Sequence, residues 1–282
     1  MKTKTKSLKS YKTPLRYPGG KSRALSKLFQ FIPDLKNYKE FREPFLGGGS
    51  VAIEIGKRYP HIDIWVNDLY EPLYNFWKVL QSNGDELHRQ LVNYKKSHPN
   101  PDTAKELFID CKNYLVKPIA TSIDRAIAFY IVNKCSFSGL TENSAFSQQA
   151  SKSNFSMNGI EKLPEYSRMI KNWKITNLSY ERMLSDDLDS FLYLDPPYEI
   201  KSNLYGRKGD MHKEFDHDQF ASWCDDYKSP ILISYNSSQL IRDRFDGWTV
   251  AEFAHTYTMR STGCYNKEQA SRKELVLINY EM

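Results

Sequence analysis

At 282 residues the chain has room for one large domain, or for a catalytic domain carrying a smaller insertion. Its 40% hydrophobic and 26% charged residues are ordinary for a globular protein, and no run of about 18 apolar residues is present to cross a bilayer. The net charge of +6 is concentrated early, at Lys2, Lys4, Lys6, Lys9, Lys12, Arg16, Lys21, Arg23 and Lys27, a bias that suits a polyanionic partner. The basic opening leads into no apolar stretch that could serve as a secretion signal, so a cytoplasmic setting is expected. Cys111, Cys135, Cys224 and Cys264 are scattered without a CxxC pair, and the histidines show no HExxH spacing. That pattern favours buried free thiols over a disulfide framework, and no metal site is expected.

In chain order, the first helical spacing falls at 21–31, where Leu25, Leu28, Phe29 and Ile32 follow the loop Pro18-Gly19-Gly20. Residues 41–45 read as a short strand, Gly47-Gly48-Gly49 as a tight turn and 50–59 as a helix. A second strand at 61–66 places Asn67-Asp68 at its carboxyl end, and a helix at about 72–81 completes a βαβ unit. From 85 to about 115, and again at 122–135, the pattern is helical with no strand between. Residues 136–159, rich in Ser, Asn, Gln and Gly with Phe137, Phe146 and Phe155 interleaved, read as an extended loop or irregular hairpin. Strand patterns resume at 173–178, 191–194, 231–235, 249–253 and 274–280. A sheet that begins, pauses for roughly 90 residues and is then completed predicts one doubly wound α/β domain with a mainly helical insertion.

The strongest chemical signal is Asp195-Pro196-Pro197-Tyr198, directly after the apolar run Phe191-Leu192-Tyr193-Leu194. A carboxylate at the carboxyl end of a buried strand points into the crevice where doubly wound folds bind ligands. The two prolines supply no N–H and hold the chain extended, so the carbonyls of Asp195 and Pro196 face outward as acceptors. A planar NH2 group is the matching ligand: the Asp195 carboxylate and the Pro196 carbonyl accept its two protons and draw the nitrogen toward a pyramidal, nucleophilic form. Tyr198 offers an aromatic face to the same base, and such stacking contributes about 1–3 kcal/mol.

The second signal is Glu43-Pro44-Phe45-Leu46-Gly47-Gly48-Gly49-Ser50, a glycine turn between strand and helix whose backbone a ligand can approach closely. Asp68, about 20 residues on at the end of the second strand, is placed to accept from ribose hydroxyls, so the spacing suits a nucleoside cofactor. The third is Leu15-Arg16-Tyr17-Pro18-Gly19-Gly20-Lys21-Ser22. Its Gly-Lys-Ser end mimics a phosphate-binding loop, but Leu15 stands where the first glycine is required and no strand precedes it. A lysine reaching a cofactor carboxylate, beside an aromatic flanking the cofactor, fits this segment better.

PGGK, then EPFxGxGS with a following Asn67-Asp68-Leu69, then DPPY after a long insertion: motifs in this order resemble the Dam-type family of bacterial and phage adenine methyltransferases. Ile233-Ser234-Tyr235-Asn236 is similar to that family's strand after DPPY, and 272–280 to its closing strand. The resemblance implies a Rossmann-like methyltransferase sheet, S-adenosylmethionine as cofactor, and transfer of its methyl group to N6 of an adenine flipped from duplex DNA. It implies that Asp195, Pro196 and Tyr198 are catalytic, that Tyr17 flanks the cofactor, that Lys21 contacts its methionine part and that Asp68 binds its ribose. Phe45, Gly47 and Gly49 then line the methionine pocket, and Asp195 touches both cofactor and amine. The catalytic domain is expected at 1–75 and 164–282, and a target-recognition insertion at 76–163. Within the insertion, 133–140 resembles the family's usual opening, while Thr141-Glu142-Asn143-Ser144 lacks the arginine commonly found there, which leaves the recognition sequence open. Candidate DNA contacts are Arg16, Lys134, Ser136 and Asn143. A cognate restriction endonuclease is compatible with this family, and a monomer or weak dimer is expected.

Three other functions fit parts of the pattern. A cytosine-N4 methyltransferase would use the same clamp, although such enzymes more often open the tetrapeptide with serine. RNA or protein-glutamine methyltransferases share the tetrapeptide but not the PGGK opening with a large insertion. A non-catalytic DNA-binding protein on this fold has no need of Lys21, Asp68 and an intact DPPY together.

Overall fold

The computed structural model describes residues 13–116, 122–139, 144–199, 215–254 and 273–282. Its strands are β1 (Glu40–Glu43), β2 (Asp63–Asn67), β3 (Lys174–Thr176), β4 (Ser190–Leu194), β5 (Ile231–Asn236), β6 (Thr249–Ala254) and β7 (Lys273–Ile278). They form one sheet in the order β3-β2-β1-β4-β5-β7-β6, with β7 antiparallel to both of its neighbours and the rest parallel. From β1 the chain builds outward to β2 and β3, then returns to the other side of β1 as β4. The order therefore reverses between β1 and β4, and in such a sheet ligands bind at the carboxyl ends of the strands flanking that point.

β4 and β5 are buried along nearly their whole length, with apolar runs at 191–194 and 231–233, because both of their faces are covered. On one face lie α1 (Leu25–Leu28), α2 (Ser50–Arg58), α3 (Glu71–Ser97), α4 (Pro101–Leu115) and α5 (Ser122–Cys135), whose apolar side chains join Phe41, Phe191, Tyr193 and Leu232 in the larger core. Phe220 and Cys224 of α9 (His217–Asp226) and Ile241 of α10 (Gln239–Arg244) cover the other face with Leu194, Ile233 and Leu275. Cys111, Cys135 and Cys224 are buried free thiols. No helix among the described residues is long and apolar enough to cross a membrane.

Every expected strand is present, each within a residue or two at most ends. The differences lie in the helices. The expected helix at 21–31 is a 3-10 turn, Lys21–Arg23, followed by the single-turn α1. The two helices expected at 72–81 and from 85 onward are both present in α3, which kinks between them where Asn83 leaves helical geometry (φ −135°, ψ 35°). There Gly84 lets α8 (Leu163–Met169) approach so closely that a Cβ would lie 2.3 Å from Ser167 Oγ. Of the extended loop or irregular hairpin expected at 136–159, the first part has an antiparallel bridge between Ser136 and Phe146, as a hairpin would, whereas the rest forms α6 (Gln148–Ser153) and α7 (Met157–Ile160). Its serines are helix starters: Ser147 Oγ accepts from Ala150 N–H and Ser156 Oγ from Gly159 N–H, as polar N-caps do. The expected domain boundary at residue 76 falls inside α3, where Phe76 and Trp77 are fully buried in the larger core.

Candidate active site

The glycine turn is shaped by two aromatic rings. Gly47 and Gly49 have φ of +49° and +70°, and a Cβ added at either would lie 2.9 Å from Tyr17 Cδ1 or from Trp77 Cζ2 respectively. Only glycine adopts that backbone there without strain or collision. Trp77 is held by its own Nε1, which donates to the Gly47 carbonyl at 3.2 Å. At the start of α2, Glu43 Oε2 accepts from Ala52 N–H at 2.8 Å, satisfying an amide that has no partner within the helix. Burial, reinforced by the charge of Asp195, holds the Glu43 carboxyl well above the usual range, although the Ala52 amide pulls the other way.

Asp68 ties the end of β2 to this turn. Its Oδ2 accepts from Gly47 N–H at 2.9 Å and its Oδ1 from Tyr70 N–H at 3.0 Å. Each oxygen keeps a second lone pair, so ribose hydroxyls can still donate to it. Burial pushes the Asp68 carboxyl up to about 6 despite those two amides. Tyr17 lies against Gly47, whereas Phe45 packs into an aromatic group with Tyr180, Phe215 and Phe220, ring centroids 5.3–6.1 Å away.

Across the switch point, β4 ends in Asp195. Tyr193 OH and Ser234 Oγ are hydrogen-bonded at 2.9 Å on one face of the sheet. Two residues further along, the same face carries Asp195 and Asn236, and Asn236 pairs in register with Glu274 of β7. Lys21, carried in by the PGGK turn, closes this face. Its Nζ donates to Asp195 Oδ1 at 2.7 Å, Asp195 Oδ2 at 2.8 Å, Tyr198 OH at 2.8 Å and the Gly19 carbonyl at 3.1 Å, and lies 3.2 Å from Glu274 Oε1. Tyr198 OH in turn donates to Glu274 Oε1 at 2.9 Å, and its ring stacks on Tyr235 at 5.9 Å. Burial by itself would lower the Lys21 ammonium, but Asp195 and Glu274 more than offset that and raise it. Burial pushes the Asp195 carboxyl up to about 6 even with Lys21 beside it. Pro196 is buried, and no described residue donates to its carbonyl.

A third group lies where α5 meets the segment before PGGK. Asn133, fully buried, clamps the main chain of Arg16: its Oδ1 accepts from Arg16 N–H at 3.0 Å and its Nδ2 donates to the Arg16 carbonyl at 2.6 Å and to Gly139 O at 2.9 Å. Arg16 Nη1 reaches the Ser136 carbonyl at 3.1 Å. Ser136 is itself fully buried with its hydroxyl on Asn133 O, so it supports Arg16 from within. Burial lowers the Arg16 guanidinium, and burial together with Arg16 lowers Lys134 to about 7. No carboxylate among the described residues pairs with either cation. Asn143 lies outside the described residues.

The structure thus gathers Asp195, Tyr198 and Lys21 at the end of one strand, Tyr17, Gly47, Gly49 and Asp68 at the ends of its neighbours, and Arg16 with the buried Lys134 where α5 meets the segment before PGGK. Three contributors escaped the sequence reasoning: Glu43, Asn133 and Glu274. For Glu274 a signal existed, an acid on the same alternation as Val276 and Ile278, directly before the apolar run at 275–278.

This fold, with its strand-end acid and glycine turn at one switch point, is that of a Rossmann-like methyltransferase. A family model for D12 class N6 adenine-specific DNA methyltransferases matches residues 17–259, and the chain belongs to that family. It is similar to the type II methyltransferase M.CviBI of Paramecium bursaria Chlorella virus NC1A, 22% identical over 94% of this chain and 98% of that one. It is also similar to the type II methyltransferase M.MjaIII of Methanocaldococcus jannaschii, 28% identical over 65% of this chain and 68% of the relative. The DNA adenine methylase of Haemophilus influenzae is 23% identical over 99% and 98% of the two chains. The protein is an adenine-specific DNA methyltransferase enzyme, and methyl transfer of this kind is generally S-adenosylmethionine-dependent.

Proposed function

We propose that this chain methylates N6 of an adenine flipped from duplex DNA, with Asp195, Pro196 and Tyr198 holding the base and the PGGK, glycine-turn and Asp68 segments holding S-adenosylmethionine. One observation carries the reading: Asp195 stands at the carboxyl end of β4, at the reversal of strand order, beside a Pro196 carbonyl that receives no donor from the described residues. The donor set fits the cofactor. Asp68 has lone pairs for a ribose diol, and the acidic surroundings from Asp195, Asp68 and Glu274 suit a group carrying both sulfonium and ammonium charge, while the protons of the buried Lys21 are already taken by protein acceptors. Tyr17, Phe45, Gly47 and Gly49 would shape the pocket around it. When bound, S-adenosylmethionine supplies an electrophilic methyl group.

The remaining work falls to the protein. The Asp195 carboxylate and the Pro196 carbonyl accept the two protons of the adenine amine and localise its lone pair, while Tyr198 stacks on the ring. Asp195, a base whose carboxyl burial has pushed up to about 6, can then take the proton that the nitrogen sheds. Flipping costs a few kcal/mol of lost stacking and pairing, which these contacts must offset. Holding the reactants together contributes about 7–11 kcal/mol toward the barrier. The helical segment at 76–163 would read the DNA sequence. Arg16 and Lys134, cations without a carboxylate partner at its junction with the catalytic part, would meet phosphates or base edges.

Asp195→Ala is the test. With labelled S-adenosylmethionine and unmethylated genomic DNA, the variant should transfer no methyl group while still binding DNA, and mapping the modified bases of the wild-type reaction should find N6-methyladenine. Near-normal turnover in the variant would remove Asp195 from the mechanism.

A further inference from the structure

We propose that Glu274 is a positioning residue: it gives Lys21 a second counter-ion and holds the Tyr198 phenol, so that Asp195 can turn to the target amine without stranding a buried cation. The inference rests on the adenine reading above.

An ammonium has three protons. Lys21 has five acceptors around it, namely both oxygens of Asp195, the Tyr198 hydroxyl, the Gly19 carbonyl and Glu274 Oε1. It can therefore give up both Asp195 oxygens and still use all three protons on Gly19, Tyr198 and Glu274. Charge follows the same logic. Lys21 is 2% exposed and Glu274 fully buried. If Asp195 were the sole counter-ion, engaging it elsewhere would leave an unpaired buried cation, which is strongly unfavourable. With Glu274 present, Lys21 trades one carboxylate for another without leaving the pocket.

The second contact fixes the base platform. Tyr198 OH donates to Glu274 and accepts from Lys21, while one face of its ring packs on Tyr235. The rotation of the ring is therefore set from the hydroxyl end by a residue that comes from the last strand of the sheet. Among described groups, Asp195 itself is faced by Lys21 and Tyr198, by Glu274 from β7, by Glu43 from β1 and by Tyr193 on its own strand.

Two measurements on the full chain test this. The first needs no activity: the ε-carbon signal of Lys21 is titrated by NMR in Asp195→Asn, assigned by its loss in Lys21→Arg. If Glu274 suffices as counter-ion, Lys21 stays protonated to above about pH 9. A Lys21 that loses its proton near neutrality overturns the proposal. The second compares Glu274→Gln and Glu274→Asp with wild type. Glu274→Gln should lower kcat for methyl transfer roughly 10- to 100-fold through misplacement of Tyr198 and Lys21, with DNA affinity within about threefold and partial recovery in Glu274→Asp. A kcat within about twofold of wild type, or an equal loss of DNA affinity, overturns it. Should Glu274→Gln fail to fold, the Lys21 titration decides. If wild type itself transfers no methyl group to DNA, the adenine reading fails, and the titration still decides the role of Glu274.

Discussion

Gly49→Ala probes the junction on which the proposed cofactor pocket depends. Gly49 holds a left-handed backbone at φ +70°, which costs a residue with a side chain about 1–2 kcal/mol. The new methyl would also lie 2.9 Å from Trp77 Cζ2 and 3.0 Å from Cη2. The indole cannot yield, because Trp77 is fully buried and hydrogen-bonded to Gly47 O, so overpacking adds roughly 1–3 kcal/mol. The sum is about 2–5 kcal/mol, which for a chain of this length lowers Tm by roughly 3–8 °C. Gly247→Ala is the internal control: its φ is +89° but nothing lies within 4 Å of the added Cβ, so only the backbone penalty applies. Scanning calorimetry of both variants measures the difference, and calorimetric titration with S-adenosylmethionine should show weakened binding for Gly49→Ala only. Equal Tm losses in the two variants would refute the claim that the Trp77 wall dictates glycine at position 49.

The two carboxyls near 6 should set opposite trends in activity and stability. Asp195 and Asp68 are raised above their unfolded values, so the folded state binds more protons between about pH 4 and 6, and their contribution to stability improves as pH falls through that window. Activity needs Asp195 ionised, so kcat should decline across the same fall; an Asp195→Asn chain that keeps the whole stability trend would remove Asp195 from it. Asn133→Ala strips partners from the Arg16 main chain and Gly139 O, and about 2–4 kcal/mol of stability should go with them, read by denaturant unfolding. Arg16→Ala should reduce the salt slope of DNA binding by about one if the guanidinium meets a phosphate, and an unchanged slope would place Arg16 off the backbone. Lys134, lowered to about 7, should lose its charge as pH rises from 6 to 8, so wild-type DNA affinity should weaken over that range. In Lys134→Arg the affinity should hold steady; parallel profiles would exclude Lys134 from the contact.

Legibility in the sequence tracked how local each cause was. DPPY after an apolar strand, the glycine turn before an amphipathic helix and Asp68 at a strand end are all short-range patterns, and the structure has each at the element expected. Within the stretch at 136–159 the short helices α6 and α7 went unseen because Ser and Asn favour loops and cap helices alike; which they do depends on what packs next to them. The break expected after residue 81 is present as a kink at Asn83, but the close packing of α8 against Gly84 beside it, remote in sequence, had no local signal.

The amino-acid order by itself determined the strands, the turn glycines, the acid at the end of β4 and the family resemblance, because strand period, backbone stereochemistry and motif spacing are properties of neighbouring residues. The pairing of residues far apart was left to the tertiary structure: Lys21 with Asp195 and Glu274, Asn133 with Arg16, Trp77 with the glycine turn. These pairings depend on which strands become neighbours. The antiparallel insertion of β7 beside β5 put Glu274 in the pocket, and no local pattern encodes that adjacency.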